Sequence, residues 1–199
     1  MKVLTFSLLF SISSLLLITG CLKKVEPRHD AALEKAKKEA TAAAGDFMKS
    51  LKEILVREMK EKGPEGAFDV CSDTAQKFTA FYSKEKGMEI HRVAYMNRNP
   101  LNLPDQAETM WMKEIENMMK EKSFNRDTVL YRVVKSGRSR MLHLVKPIFL
   151  APECVVCHGT EDQIPEAVMK KINEKYPEDK ARNFQPGELR GLVTVRLKI

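Results

Sequence analysis

The chain has 199 residues, of which 43% are hydrophobic, and its formal net charge is +7, from 34 Lys and Arg against 27 Asp and Glu. This length allows one globular domain with a targeting segment and excludes a second sizeable core. Basic residues are mixed with acidic ones along helical stretches, which is typical of a solvated surface and argues against a nucleic-acid partner. The alternative is that the basic excess attracts anionic lipid headgroups or an acidic redox partner.

The first twenty residues have the pattern of an export signal. Lys2 precedes an almost wholly apolar or small stretch from Val3 to Ile18, which is short for a membrane-spanning helix. The stretch ends in Ile18-Thr19-Gly20-Cys21, which resembles the lipobox of bacterial lipoprotein precursors. An ordinary secretory signal or an uncleaved anchor is the alternative. We expect residues 1–20 to be removed and lipidated Cys21 to hold the protein on a membrane, facing the periplasm or the cell exterior.

Two helices are predicted next. Residues 21–30 are polar and predict a short tether, whereas residues 31–62 are rich in Ala, Lys and Glu and predict a long helix that ends at Gly63-Pro64. Its later half has an apolar face at helical spacing, formed by Phe47, Leu51, Ile54, Leu55 and Met59. A second helix, from about Glu65 to Lys84, carries Cys71 on its apolar stripe. We therefore expect this thiol on the core side.

The remainder of the chain mixes strands and helices. Strand-like segments cover residues 88–96, 128–134, 141–149 and 189–199, and amphipathic helices cover the stretch from Pro104 to about Glu121 and residues 165–176. There is no β-α-β alternation and no Gly-rich phosphate loop, which excludes a Rossmann-type sheet. Helices followed by hairpin-linked strands predict one α+β domain with an antiparallel sheet over residues 31–199.

The segment Cys154-Val155-Val156-Cys157-His158 matches the Cys-x-x-Cys-His signature of c-type haem attachment. Its two thiols can form thioether bonds to one haem, and the adjacent histidine can bind the iron. A zinc knuckle would need two further ligands. A redox dithiol would need a preceding strand and a helix beginning at the first Cys, whereas the flanks of this motif favour a loop after Pro152. We therefore expect one covalently bound haem c, with His158 as an iron ligand.

The second axial ligand stays open on the residues alone. His143 and His91 lie in predicted strands, where a histidine is more often part of the core, and His29 lies in the tether. Most of the eleven Met residues lie on helix faces, where core packing explains them. Cys71 is unpaired and chemically soft, so it is equally well explained as an iron ligand and as an inert buried thiol.

Five blocks along the chain resemble, in order, a family of exported single-haem c-type proteins with a PAS-like fold, which is also found as the sensory domain of some bacterial membrane-bound signalling proteins. The blocks are Ala67-Phe68-Asp69-Val70-Cys71, Arg98-Asn99-Pro100-Leu101-Asn102 with Pro104-Asp105 and Glu108, Cys154 to Gly159, Tyr176-Pro177-Glu178-Asp179-Lys180-Ala181, and Gly187-Glu188-Leu189-Arg190-Gly191. The resemblance covers roughly residues 31–199. It implies a PAS-like antiparallel sheet with flanking helices and a long N-terminal helix.

The resemblance also implies a haem iron held by His158 and Cys71. Arg92, Arg98 and Arg190 are then possible partners of the haem propionates, because guanidinium pairs bidentately with carboxylate. The alternative role for each arginine is surface solubility.

A thiolate ligand stabilises ferric iron and predicts a low reduction potential. With both axial positions filled, we expect no enzyme, but low-potential electron transfer or redox sensing through an unidentified redox or signalling protein. One alternative is a gas sensor, in which CO or NO displaces Cys71 after reduction. A haem enzyme such as a peroxidase is the third hypothesis, although no distal His-Arg arrangement can be recognised.

Overall fold

The structure is a computed structural model that describes residues 30–121 and 124–199. The predicted export signal, Cys21, His29 and the tether up to residue 29 lie outside the described residues. Helix α1 (Ala31–Asp69) begins where it was predicted, and the Asp30 side chain caps it by accepting a hydrogen bond from the backbone N–H of Leu33 at 3.0 Å. Its helical geometry is interrupted at Gly63, where φ is 70°, just before Pro64. The predicted break is confirmed, and the helix resumes directly beyond it.

The second predicted helix contains a feature that its residues did not indicate. Residues Val70–Thr74 form a π-helical turn between α1 and helix α2 (Ala75–Lys86), which ends at Gly87 in the left-handed conformation. A π turn adds a residue to the helical repeat and is frequent at functional sites. Cys71 lies on this turn, so the local distortion determines where its thiol points.

Four antiparallel strands form one sheet, as predicted. They are β1 (Glu89–Val93), β2 (Leu130–Ser136), β3 (Ser139–Phe149) and β4 (Leu189–Lys198). Their order is β1-β4-β3-β2, with β4 between β1 and β3. The β2–β3 hairpin turns at Gly137, which has positive φ.

Helices cover both faces of this sheet. The first half of α1 packs small side chains on one face, and Phe47 closes this layer. The members of this core cluster are Ala36, Ala40, Ala43, Ala44, Phe47, Ile90, Leu142, Leu144, Val193 and Val195. Helix α3 (Gln106–Lys120) covers the other face through Trp111, Met112 and Ile115. This α+β arrangement is consistent with the PAS-like fold that the resemblance implied.

The Cys-x-x-Cys-His motif does not form the loop that its flanks predicted. A 3-10 turn (Pro152–Cys154) leads into a one-turn helix, α4 (Val155–His158), shortly after β3 ends. That expectation was wrong because the proline begins a helical turn here instead of preventing one. Helix α5 (Glu166–Lys175) follows. No helix within residues 30–121 and 124–199 is both long and apolar enough to cross a membrane.

Candidate haem site

A cavity of about 550 Å³ lies between the second half of α1, the π turn, the ends of β1 and β4, and the Cys-x-x-Cys-His motif. This volume is within the range of sites that hold small molecules and cofactors. Its apolar wall includes Phe47, Met48, Leu51, Leu55, Met59, Phe68, Ile148, Val156 and Tyr176. Its polar and sulfur-bearing wall includes Cys71, Arg92, Arg98, Cys154, Cys157, His158 and Arg190. Every predicted site residue except Cys21 therefore lines this one cavity.

Both cysteines of the motif are free thiols that reach the cavity. Burial raises the pKa of Cys157 to about 11 and also raises the pKa of Cys154. Both thiols are therefore protonated near neutral pH. A strand precedes the motif and a helix follows its first Cys, so the secondary-structure argument against a redox dithiol does not hold. The adjacent histidine and the large apolar cavity favour a haem site over a redox dithiol instead.

The His158 ring has a defined hydrogen-bonded orientation. Its Nδ1 lies 2.8 Å from the carbonyl oxygen of Ala181. Since a carbonyl can only accept, Nδ1 carries the proton and Nε2 keeps its lone pair. Burial, assisted by the charges of Arg190 and Arg98, holds the pKa of His158 well below its usual range. A neutral imidazole with its second nitrogen in this state is the form that binds metals.

The position of Cys71 on the apolar stripe predicted that its thiol would lie on the core side. The thiol is not packed in the core. It is accessible, and the surface that it exposes belongs to the cavity wall. Enclosure by the surrounding protein raises its pKa, while the nearby charge of Arg92 opposes this effect. The thiol is both accessible and surrounded by protein because it lines a cavity. The π turn therefore presents a soft sulfur ligand to the same space as His158.

The three arginines differ in their partners. Arg92, on β1, has its Nε and one terminal nitrogen buried without a hydrogen-bond partner, and Arg190, on β4, has its Nε in the same state. Arg190 also donates to the carbonyl of Met96 at 3.0 Å. Arg98 is already engaged, because its Nε donates to Asp179 at 3.0 Å and its Nη2 donates to the carbonyl of Cys157 at 2.6 Å. Arg92 and Arg190 thus retain donors for an acidic group in the cavity, whereas Arg98 binds the motif itself.

The other described histidines do not line the cavity. His143 is buried on the α3 side of the sheet, where it meets Trp111 edge to face at 6.2 Å between ring centroids. Its Nε2 is buried without a hydrogen-bond partner, so His143 is a core residue with one unsatisfied ring nitrogen. His91 lies 3.5 Å from the buried carboxylate of Glu108. Within residues 30–121 and 124–199, no three His, Cys, Asp or Glu side chains are grouped so as to hold a metal ion, which a zinc knuckle would require.

Two site residues were missed at the level of the sequence. Asp179 is a fully buried carboxylate that binds Arg98, and Ala181 supplies the carbonyl that accepts from His158. Both belong to the Tyr176–Ala181 block, one of the five on which the resemblance rests, but nothing in the sequence indicated what either residue binds. Their role depends on a long-range hydrogen bond from Arg98, which local patterns do not reveal.

The fold and the site define an α+β protein in which a Cys-x-x-Cys-His motif and a distant cysteine share one cavity. The chain belongs to the Tll0287-like family, whose model matches residues 29–197. Among solved structures, it is similar to the cyanobacterial heme-protein Tll0287, with a TM-score of 0.59 and 21% sequence identity over 83% of this chain and 94% of that chain. This likeness shows the shared fold. No match was found among curated proteins.

Proposed function

We propose that the chain is a c-type haem protein that carries or senses electrons at low potential. Cys154 and Cys157 attach one haem c covalently, and His158 and Cys71 bind its iron. The observation that carries this proposal is that all four side chains line the same cavity. The description of the similar cyanobacterial protein as a heme-protein gives independent support.

The residues present fit a haem. Its macrocycle is apolar and needs apolar walls, which α1 and Phe68 provide. Its two propionates need cationic donors, and the buried unpaired nitrogens of Arg92 and Arg190 are donors that currently lack an acceptor. A buried guanidinium without a partner is costly, so an acidic ligand group at this position would stabilise the protein.

The chain's own residues determine the redox behaviour. When bound, the haem supplies a one-electron ferric–ferrous couple. The Cys71 thiol would lose its proton to solvent on binding iron, and the resulting thiolate would donate electron density, favour the ferric state and lower the potential. His158 is held neutral by its surroundings and by the carbonyl of Ala181, so it is available as a ligand without losing a proton. Because His158 and Cys71 would both hold the iron, we propose no enzymatic activity.

We further propose that lipidated Cys21 anchors the exported domain to a membrane surface, facing the periplasm or the cell exterior. Ile18-Thr19-Gly20-Cys21 and the apolar stretch before it support this proposal. The partner would be a redox or signalling protein at the same membrane. We propose no nucleic-acid partner, because a protein exported in this way would not meet the nucleic acid of the cytoplasm.

Gas sensing is a second candidate function, which the π turn favours. Cys71 lies on this turn, where the hydrogen-bond pattern departs from that of a regular α-helix. In this function His158 would hold the haem, and Cys71 would be the ligand that CO or NO replaces in the reduced protein. Rapid CO binding by the reduced wild type would support this function over electron transfer, and the absence of CO binding would support electron transfer.

The covalent attachment is tested by mass spectrometry of the denatured, mature protein from a host that matures c-type haem. We expect the wild type to carry the mass of one haem and of an acylated Cys21. Cys154→Ser/Cys157→Ser should lose the haem mass, whereas Cys71→Ser makes the same chemical change at the third described thiol and should keep it. A wild-type chain without haem would contradict the proposed function, and a Cys21 without lipid would contradict the anchor.

A further inference from the structure

The buried carboxylate of Asp179 lies at the centre of a hydrogen-bond network beside the haem-attachment motif. Its side chain is fully buried and accepts from the Nε of Arg98 at 3.0 Å and the Nε of Arg182 at 2.8 Å. It also accepts from the backbone N–H of Ala181 at 3.0 Å. A buried charge with this many donors is well compensated.

Arg98 connects this carboxylate to the motif. It lies in the loop after β1, and its Nη2 donates to the carbonyl of Cys157 at 2.6 Å and reaches the carbonyl of Ala181 at 3.2 Å. The planar guanidinium holds these acceptors and Asp179 in a fixed relative geometry, which a lysine could not do. One side chain therefore ties three separate segments of the chain together.

The Ala181 peptide is restrained at both ends by this pair. Its N–H donates to Asp179, and its carbonyl accepts from the Nδ1 of His158 at 2.8 Å. The carbonyl of His158 also accepts from the backbone N–H of Phe184 at 2.9 Å. A fixed carbonyl determines which ring nitrogen carries the proton and how the ring is rotated.

We propose that Asp179 is a positioning residue for His158. Together with Arg98 it holds the Ala181 carbonyl so that the imidazole keeps its proton on Nδ1 and presents Nε2 to the cavity. This inference rests on the proposed haem binding for its purpose, but the restraint is a property of the chain itself. Groups that fix a metal-bound histidine in this way strengthen it as a ligand.

The test compares Asp179→Asn with Glu178→Gln, since both variants remove one negative charge from adjacent residues and Glu178 is exposed. NMR of the ¹⁵N-labelled, reduced haem protein reports the tautomer of His158 and the exchange rate of its Nδ1 proton. We expect exchange at least tenfold faster in Asp179→Asn and within about twofold of wild type in Glu178→Gln. The midpoint potential should rise in Asp179→Asn only, because a less firmly held imidazole stabilises ferric iron less.

If Asp179→Asn does not fold, Arg98→Lys is the test variant. It keeps the positive charge opposite Asp179 but loses the planar guanidinium that holds the two carbonyls. Unchanged exchange and unchanged potential in a folded, haem-loaded variant would overturn the inference. If the wild type carries no haem, the proposed function fails separately. The tautomer and exchange rate are then compared in the haem-free chains, where the same expectation applies and the same null result overturns the inference.

Discussion

Cys71 and His158 belong to opposite halves of the sequence and line the same cavity. The thiol is placed by a π turn between two helices, and the imidazole ends a one-turn helix after the sheet's longest strand. The Cys71 thiol is accessible, and the Nδ1 of His158 is bound to the carbonyl of Ala181, which leaves Nε2 as the second ring nitrogen. Two donor atoms of different chemistry, a sulfur and an imidazole nitrogen, are therefore presented to one cavity, and the proposed iron ligation depends on this arrangement.

Replacing Arg92 should have opposite effects on the haem-free and haem-loaded proteins. Without an acidic ligand, its buried unpaired nitrogens destabilise the fold. Arg92→Met should then raise the free energy of unfolding of the haem-free chain by about 1 kcal/mol. In the haem-loaded protein the same substitution would remove the proposed propionate partner and should lower that free energy by about 2 kcal/mol.

Denaturant unfolding of both forms measures these two changes. Haem-free protein is obtained in the Cys154→Ser/Cys157→Ser background, and Lys60→Met on the exposed side of α1 is the matched loss of charge outside the cavity. The control should leave both forms within about 0.5 kcal/mol of their parents. A change of the same sign in the two forms would contradict the propionate role of Arg92.

Two glycines should respond oppositely to alanine. A Cβ on Gly191, in β4 beside the cavity, would lie 2.3 Å from the carbonyl oxygen of Val93 on the neighbouring strand. Gly191→Ala must push β1 away and should lower stability by about 1–3 kcal/mol. Gly45, within α1, has nothing within 4 Å of such a Cβ, so Gly45→Ala should raise stability by about 0.5–1 kcal/mol. Thermal unfolding checks both, and an unchanged melting temperature for Gly191→Ala would show that the strands can separate freely.

Glu108 should make stability depend on pH below neutrality. Burial acts to raise its pKa, but hydrogen bonds from His91, the backbone of Asp105 and Thr194 outweigh it and bring the pKa to about 2. An unfolded glutamate titrates near pH ~4.3. The stabilisation is therefore complete above about pH 5 and is lost as the pH falls towards 2, and its size is on the order of 3 kcal/mol.

Unfolding free energies measured from pH 6 to pH 3 test this dependence. Glu108→Gln should flatten the fall, whereas Glu116→Gln, on the same helix, should leave it as in the wild type. Equal slopes in the wild type and Glu108→Gln would mean that other carboxyl groups account for the acid sensitivity.

Most elements of the fold could be predicted because their signals are local. The α1 break follows from Gly63-Pro64, and the antiparallel sheet follows from strands joined by a hairpin turn. The role of α1 could not be predicted from its sequence in the same way. Its alanine-rich first half forms the core layer, and the apolar face of its second half, including Leu51 and Met59, lines the cavity. Periodicity marks a face as apolar, but it cannot tell a core from the wall of a ligand site.

The site could be predicted where chemistry is contained in a short motif, as at Cys154–His158. Cys71 was a candidate from its residue type, and the resemblance favoured it as an iron ligand. Its accessible position depends on a π turn that α-helical spacing does not indicate. Arg98 could be expected near an acidic group but not assigned to Asp179, since that pair joins distant segments. The fold decides which buried charges pair across distant segments. Only the structure therefore shows that Arg98 binds Asp179 and the motif, whereas Arg92 and Arg190 keep unpaired donors.

EPR spectroscopy of the ferric protein tests the central claim of His158/Cys71 ligation most directly. The wild type and Thr74→Ala, an exposed neighbour on the same π turn, should both give the low-spin spectrum of a thiolate-ligated haem. Cys71→Ser should lose that spectrum while keeping its covalent haem. If Cys71→Ser and the wild type give the same ferric spectrum, Cys71 is not an iron ligand and the proposed ligation is wrong.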